Sequence, residues 1–134
     1  MGKVGLLLIG HGSRLPYNKE LVEDTARLIT EKDGTFIIKC AYMEKNTPGV
    51  KEALEDFKGE DIELLVAAPL FLAKGVHILE DIPMLLGLEG GLKKGRFELH
   101  NRVIPLVYAE PIGNDPLLAE LMIRNVRTAI RTYR

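Results

Sequence analysis

The sequence has no tryptophan, one cysteine, and only four tyrosines and four phenylalanines among 134 residues. The lone cysteine, Cys40, excludes an intrachain disulfide and any Cys-x-x-Cys zinc site and fits a reducing compartment. It lies in a strand-like run and reads as a small buried apolar residue. Scarce aromatics leave no stacking platform for single-stranded nucleic acid, and a net charge of −1 leaves no global basic footprint. No apolar run approaches the roughly 20 residues of a membrane span. Met1 to Leu8 is too short, and too soon followed by Gly10-His11-Gly12, for a signal peptide. The expectation is a soluble cytoplasmic protein whose partners are neither nucleic acid nor membrane.

Hydrophobic content of 46% and charged content of 28% are ordinary for a globular protein. The length fits one domain able to bury a core without disulfides or structural metal. Val4–Ile9 (VGLLLI) is a continuous apolar run of the kind found in strands covered on both faces. Pro16 follows, then a helical pattern from Tyr17 to about Glu31. Its stripe is Leu21, Val22, Thr25, Leu28 and Ile29, and Asp33-Gly34 stops it. Thr35–Tyr42 reads as the second strand. Thr47-Pro48 reads as the cap and first turn of a helix running to Phe57.

Ile62–Leu70 reads as the third strand. Ile78–Leu86 is a helix, or a helix broken at Pro83. Gly87–Gly95 is glycine-rich and is expected to be mobile. The fourth strand falls at Val103–Leu106 within Phe97–Val107. Asn114-Asp115-Pro116 caps a last helix, Leu117 to about Arg131, with an apolar stripe of Leu117, Leu118, Leu121, Met122, Val126 and Ile130. Strands alternating with helices predict an α/β fold: a flavodoxin-like sandwich with a four-stranded parallel sheet, ordered 2-1-3-4, and helices on both faces.

Three histidines are present: His11, His77 and His100. His11 directly follows the first strand, and His77 lies beyond the third. Ligands of open parallel sheets bind at the carboxyl ends of strands, where strand order reverses. In this order that point lies between strands one and three, so both histidines should meet in one crevice. Gly10 and Gly12 let the backbone bend and a ligand approach. His100, in a polar strand approach, reads as structural. Two imidazoles suit cobalt, nickel, zinc or iron but fall short of the four ligands of a structural zinc site. They suit a metal that is held briefly and released, and imidazole can also take up a proton. Glu44, after the second strand, is a third ligand, a proton acceptor, a histidine orienter or a solvated loop carboxylate. Arg14, Lys45 and Lys74 lie on the same rim loops, where they would suit a polycarboxylate. Gly10-His11-Gly12 is neither a dinucleotide fingerprint nor a phosphate-binding loop.

Four segments carry a resemblance. Gly10-His11-Gly12-Ser13-Arg14, Met43-Glu44, the block from Pro69 to His77 with Asp81-Ile82-Pro83, and Tyr108 to Leu117 resemble, in order, the motifs of the class II tetrapyrrole chelatases. The length is similar to that of the small archaeal sirohydrochlorin chelatases. The resemblance implies a single chelatase domain over residues 1–134. It implies insertion of cobalt(II), and in methanogens also nickel(II), into sirohydrochlorin with release of two protons, toward cobalamin or a nickel tetrapyrrole of methanogenesis. Iron insertion belongs to close relatives. His11 becomes metal ligand and proton acceptor, His77 the second ligand, and Glu44 or water the proton relay. Lys45 and the segment Leu72, Ala73, Lys74, Gly75, Val76 and His77 contact the macrocycle, with Arg14 on its carboxylates. No cofactor is implied beyond the substrate metal ion, and the partner implied is a second copy in a homodimer with facing sites. Position 74 is lysine where some relatives have another histidine, and no histidine-rich stretch is present.

Two other readings remain at this stage. Histidine phosphatases also place His-Gly after the first strand, but they want an arginine where Gly10 stands. A metal or tetrapyrrole carrier would bind the macrocycle without accelerating metal entry.

Overall fold

The computed structural model describes residues 3–134. Strands β1 (Val4–Gly10), β2 (Phe36–Tyr42), β3 (Leu64–Pro69), β4 (Lys94–Glu98) and β5 (Val103–Tyr108) form one sheet in the order β2-β1-β3-β5-β4. The helices are α1 (Tyr17–Lys32), α2 (Val50–Phe57), α3 (Ile82–Leu85) and α4 (Pro116–Tyr133). Four strands run parallel, while β4 pairs antiparallel with β5. The expected four-stranded sheet is therefore five-stranded, and its fourth parallel strand is β5. The added strand rises from the stretch expected to be a mobile glycine-rich segment. There Gly87, Gly90 and Gly91 take left-handed φ values of 76°, 61° and 78°, Leu88 is buried, and Phe97 enters the core.

Alternation along the strands divides the core. Leu7 and Ile9 of β1, Leu65 and Ala67 of β3, and Ile104, Leu106 and Tyr108 of β5 share one core with Val50, Ala53 and Phe57 of α2 and with Ile78 and Ile82. On the other face Leu8 and Tyr42 pack against Val22 of α1. Cys40 is half-buried beside that smaller core, not fully buried as expected. Burial, and then the neighbouring Glu23, push its thiol pKa up. Leu21 and Leu28 of the expected α1 stripe remain exposed.

Two helix starts differ from expectation. α2 begins at Val50, with Gly49 as its cap and the Glu52 carboxylate accepting the Gly49 N–H at 3.3 Å. The Thr47–Pro48 peptide is cis and lies in the preceding loop. Before α3 the chain makes one wide π-type turn, His77–Asp81, in which the Ile82 N–H reaches the His77 carbonyl. Pro83 has no N–H to offer the carbonyl four residues back, and a wide turn is one way a helix accommodates that loss.

The last helix has the expected cap, Asp115, whose carboxylate accepts the Leu117 N–H at 2.8 Å. No residue of α4 is buried, and near its start Leu118 is partly covered. The expectation that its apolar stripe covers this chain's own sheet is thus not met. Among the described residues no helix is long and apolar enough to cross a membrane.

Candidate metal-receiving site at the sheet switch point

His11 leaves the carboxyl end of β1, and the chain from β3 brings back His77. These strands are neighbours at the point where the order reverses. The two rings meet there: His11 Nε2 lies 3.2 Å from His77 Nε2, with ring planes at 70°. The crevice foreseen from topology exists.

Each ring is oriented by its other nitrogen. His11 Nδ1 is 3.0 Å from the Gly12 carbonyl oxygen, and His77 Nδ1 is 2.8 Å from Asp81 Oδ2. Both partners only accept, so each Nδ1 carries a hydrogen and donates it. The neutral rings then present two Nε2 lone pairs to each other. Lone pairs at that separation repel unless a cation lies between them, either one shared proton or a metal ion. Two nitrogens each about 2.1 Å from one ion, at octahedral or tetrahedral angles, stand about 3.0–3.4 Å apart. The observed 3.2 Å falls within that range.

The backbone around His11 explains the flanking glycines. The loop after β2 continues alongside β1: Met43 N–H donates to Gly10 O at 3.0 Å and Glu44 N–H to His11 O at 3.1 Å. The Glu44 carbonyl crosses so close to Gly12 that a Cβ there would lie 1.7 Å from it, and Gly12 has φ +88°. A Cβ on Gly10 would meet Val22 at 2.5 Å. Asn18 accepts the Gly12 N–H at 2.8 Å and Asn46 the Ser13 N–H at 2.9 Å.

The same ladder carries Glu44 beside the pair, with its carboxylate 3.7 Å from His11 Nε2. That is too long for a hydrogen bond, but one small displacement or one water would join them. Among the described residues no group of three or more His, Cys, Asp or Glu side chains is arranged to hold a metal. His11 and His77 remain about two-fifths exposed, so a bulky ligand can reach them.

The remaining expected residues form the rim. Leu72, Ala73, Lys74, Gly75 and Val76 are all exposed on the loop leading to His77. Leu72 and Val76 present large apolar side chains there. Arg14 and Lys45 are exposed on the loops after β1 and β2, and Lys45 takes a left-handed φ of 68°. Lys74 is engaged: Glu110 binds it at 3.4 Å and Lys93 at 3.2 Å. Those two ammonium groups hold the Glu110 carboxyl below its ordinary range, with Lys93 contributing most. His100 lies apart, in the turn between β4 and β5, its N–H bonded to Lys58 O.

Sequence reasoning missed three contributors. Asp81 orients His77; its signal was the four-residue spacing after a histidine within a helical pattern. Phe71 places its ring 6.2 Å from His11 and 6.3 Å from His77. Tyr108 donates its hydroxyl to the Ile78 carbonyl at 3.0 Å, pinning the π-type turn from below.

An α/β sheet with two imidazoles poised for one ion at its switch point, open to a large ligand, defines a metal-handling protein of the chelatase type. The family model CbiX matches residues 5–129. The chain belongs to the CbiX family. It is 46% identical over 120 residues to the sirohydrochlorin cobaltochelatase of Methanococcoides burtonii, covering 90% of this chain and 92% of that protein. To the sirohydrochlorin cobaltochelatase of Methanosarcina barkeri it is 43% identical over 129 residues, covering 96% and 98%. Among solved structures it resembles one described as a cobalamin (vitamin B12) biosynthesis CbiX protein from Marinobacter aquaeolei, with TM-score 0.64, 31% identity and coverage of 98% and 99%. The fold also matches the sirohydrochlorin chelatase SirB of Bacillus subtilis, solved in complex with cobalt, with TM-score 0.71, 17% identity, and coverage of 94% of this chain and 50% of that one.

Proposed function

We propose that this protein inserts cobalt(II) into sirohydrochlorin, with loss of two pyrrolic protons, as a step of cobalamin biosynthesis. One observation carries the reading: two imidazole nitrogens 3.2 Å apart, each ring fixed by its opposite nitrogen. The names of the relatives supply the substrate and the metal. In this reading His11 and His77 receive the metal ion, which is a substrate and not a resident cofactor. No other cofactor takes part. Water fills the remaining positions until ring nitrogens replace it. His11, once it gives up the metal, accepts one pyrrolic proton, which Glu44 at 3.7 Å or water passes outward, and the second pyrrolic proton leaves to water.

Arg14, Lys45 and Lys74 meet the substrate carboxylates. Leu72, Ala73, Gly75 and Val76 lie against the macrocycle face, and Phe71 backs the histidine pair. The protein's contribution is orientation and proton removal. Residues 1–134 act as one chelatase domain, in the cytoplasm, paired with a second copy as a homodimer. The donor set also takes nickel, so each metal is tested separately. A phosphatase reading fits less well, because glycine stands at position 10, where an arginine would be needed for phosphate, and His11 faces another imidazole.

The test is a time course of the visible spectrum with sirohydrochlorin and each divalent metal, with and without protein. Acceleration of cobalt entry, lost in His11→Ala, is expected. A protein that binds the macrocycle yet leaves the spontaneous rate unchanged is a carrier, and that result ends the chelatase reading.

A further inference from the structure

One carboxylate, Glu110, binds two ammonium groups. Its Oε1 is 3.2 Å from Lys93 Nζ and its Oε2 is 3.4 Å from Lys74 Nζ. All three side chains are about half exposed, and exposed ion pairs of this kind stabilise a fold very little. The cluster gathers more positive charge than its carboxylate neutralises. Each ammonium carries three donors, so contact with Glu110 leaves donors to spare on both.

Three elements bring the cluster to the sheet edge that holds His11 and His77. β4 runs antiparallel to β5, so the start of β4 lies beside the carboxyl ends of the parallel strands. There the Lys93 carbonyl accepts the Tyr108 N–H at 2.8 Å, and the Lys93 ammonium sits 5.0 Å from the centre of the Tyr108 ring. Glu110 follows closely on the same segment. Just beyond it, Ile112 N–H donates to Phe71 O at 2.9 Å and Gly113 N–H to Leu72 O at 2.7 Å. Those bonds tie the segment to the loop that carries Lys74 and leads to His77.

In the order β2-β1-β3-β5-β4 the histidine crevice lies between β1 and β3. Arg14 and Lys45 stand on its β1 and β2 side, Lys74 and Lys93 on its β3, β5 and β4 side. From the crevice to β4 is two and a half strand spacings, about 12 Å at about 4.8 Å each. A tetrapyrrole centred on the histidines, with acetate and propionate arms around its rim, spans that order of distance, and a lysine side chain closes the remainder.

We propose that Lys93 is a further substrate-binding residue, that it and Lys74 together take one carboxylate of the macrocycle, and that Glu110 is the positioning residue that holds the two ammonium groups side by side. The inference rests on sirohydrochlorin as the substrate. Without Glu110 the two cations repel, and their flexible stems let them spread. With it their separation is set, and a carboxylate arriving from solvent bridges the same pair from the open side. Arg14 and Lys45 then hold the far rim, so the ring is gripped on two sides of the histidine pair.

The test is a fluorescence titration of the intact chain with metal-free sirohydrochlorin, which reads binding whether or not metal is inserted. Lys93→Met should weaken binding about fivefold and flatten its salt dependence. Lys93→Arg should restore most of the affinity. Glu110→Gln should weaken binding by a similar factor, and Glu110→Asp should recover part of the loss. With the methyl-esterified macrocycle, Lys93→Met and wild type should bind alike. Unchanged affinity in Lys93→Met overturns the proposal, as does an equal loss with the ester. Tighter binding by Glu110→Gln also overturns it, because Glu110 would then compete for the lysines instead of holding them. A wild type that binds the macrocycle as expected without speeding cobalt entry leaves this subsite standing and ends the chelatase reading alone, whereas one that does not bind it ends both.

Discussion

His11 and His77 hold their Nε2 atoms 3.2 Å apart while a carbonyl and a carboxylate occupy their Nδ1 atoms. Neither ring can turn away without breaking its own anchoring bond, so the pair favours whatever positive charge fits between them. Removing either ring leaves a single weak ligand. His11→Ala should lower cobalt insertion by about 100-fold or more, since it removes both a ligand and the proton acceptor. His77→Ala should approach the same loss. Both side chains are partly exposed, so the thermal midpoint should change little. Wild-type insertion by His11→Ala would refute the role assignment.

Asp81 Oδ2 lies 2.8 Å from His77 Nδ1. Asp81→Asn keeps the shape but offers the imidazole a weaker acceptor, and Asp81→Ala removes the anchor. Loss of such an outer partner typically costs about 10–100-fold in metal affinity or activity. Cobalt titration followed by absorbance should show weaker binding, Ala worse than Asn, with unchanged circular dichroism. Equal affinity in all three proteins would make the carboxylate a bystander.

Two glycines should respond in opposite ways. Gly12→Ala forces a Cβ against the Glu44 carbonyl at a left-handed φ, and the backbone conformation alone costs on the order of 1–3 kcal/mol. That variant should melt markedly lower and lose chelation, because the loop carrying His11 must move. Gly75→Ala meets nothing within 4 Å and has no left-handed φ, so its stability should match wild type. Denaturant unfolding of both separates the cases.

Alkaline pH should destabilise the fold through two phenols. Burial first, then nearby negative charge, raises Tyr42 and Tyr108 to about 12. An unfolded tyrosine titrates near 10, so between about 10 and 12 the unfolded chain has lost protons that the folded chain keeps. Stability is intact below about pH 10 and falls as pH rises through that window, by on the order of 2 kcal/mol per phenol. The Tyr108 hydroxyl is bonded to the Ile78 carbonyl, whereas the buried Tyr42 hydroxyl has no hydrogen-bond partner among the described residues. Tyr108→Phe should therefore cost about 1 kcal/mol at neutral pH, while Tyr42→Phe should cost nothing and soften the alkaline loss. Urea unfolding at pH 7 and pH 11 checks both.

The sheet centre was legible because VGLLLI and IELLVAAPL are short continuous apolar runs of the kind found in strands covered on both faces. Their order places His11 and His77 at the same end of neighbouring strands. β4 escaped because Lys94-Gly95-Arg96-Phe97-Glu98 has one apolar side chain turned inward, at Phe97, and charges on the other positions. Edge strands use charges of that kind against unwanted pairing, and the pattern resembles a loop. Periodicity gives α4 its apolar stripe, which the structure leaves exposed, and a helical period does not say what packs on it. Glu44 was found by its position after β2. Asp81 belongs to a quoted motif, but the sequence does not show that its carboxylate turns onto His77. The Thr47-Pro48 pair imitated a helix start and instead turned the chain one step before it.

The wide turn ahead of α3 carries one residue more than an ordinary helical turn would need. Deleting any one of Ile78, Leu79, Glu80 or Asp81 would restore regular winding and swing the imidazole of His77 by about 100° around the axis, out of line with β1. The length of this stretch is therefore under the same constraint as its chemistry. A chain could keep both histidines here and still lose their alignment through a single missing codon.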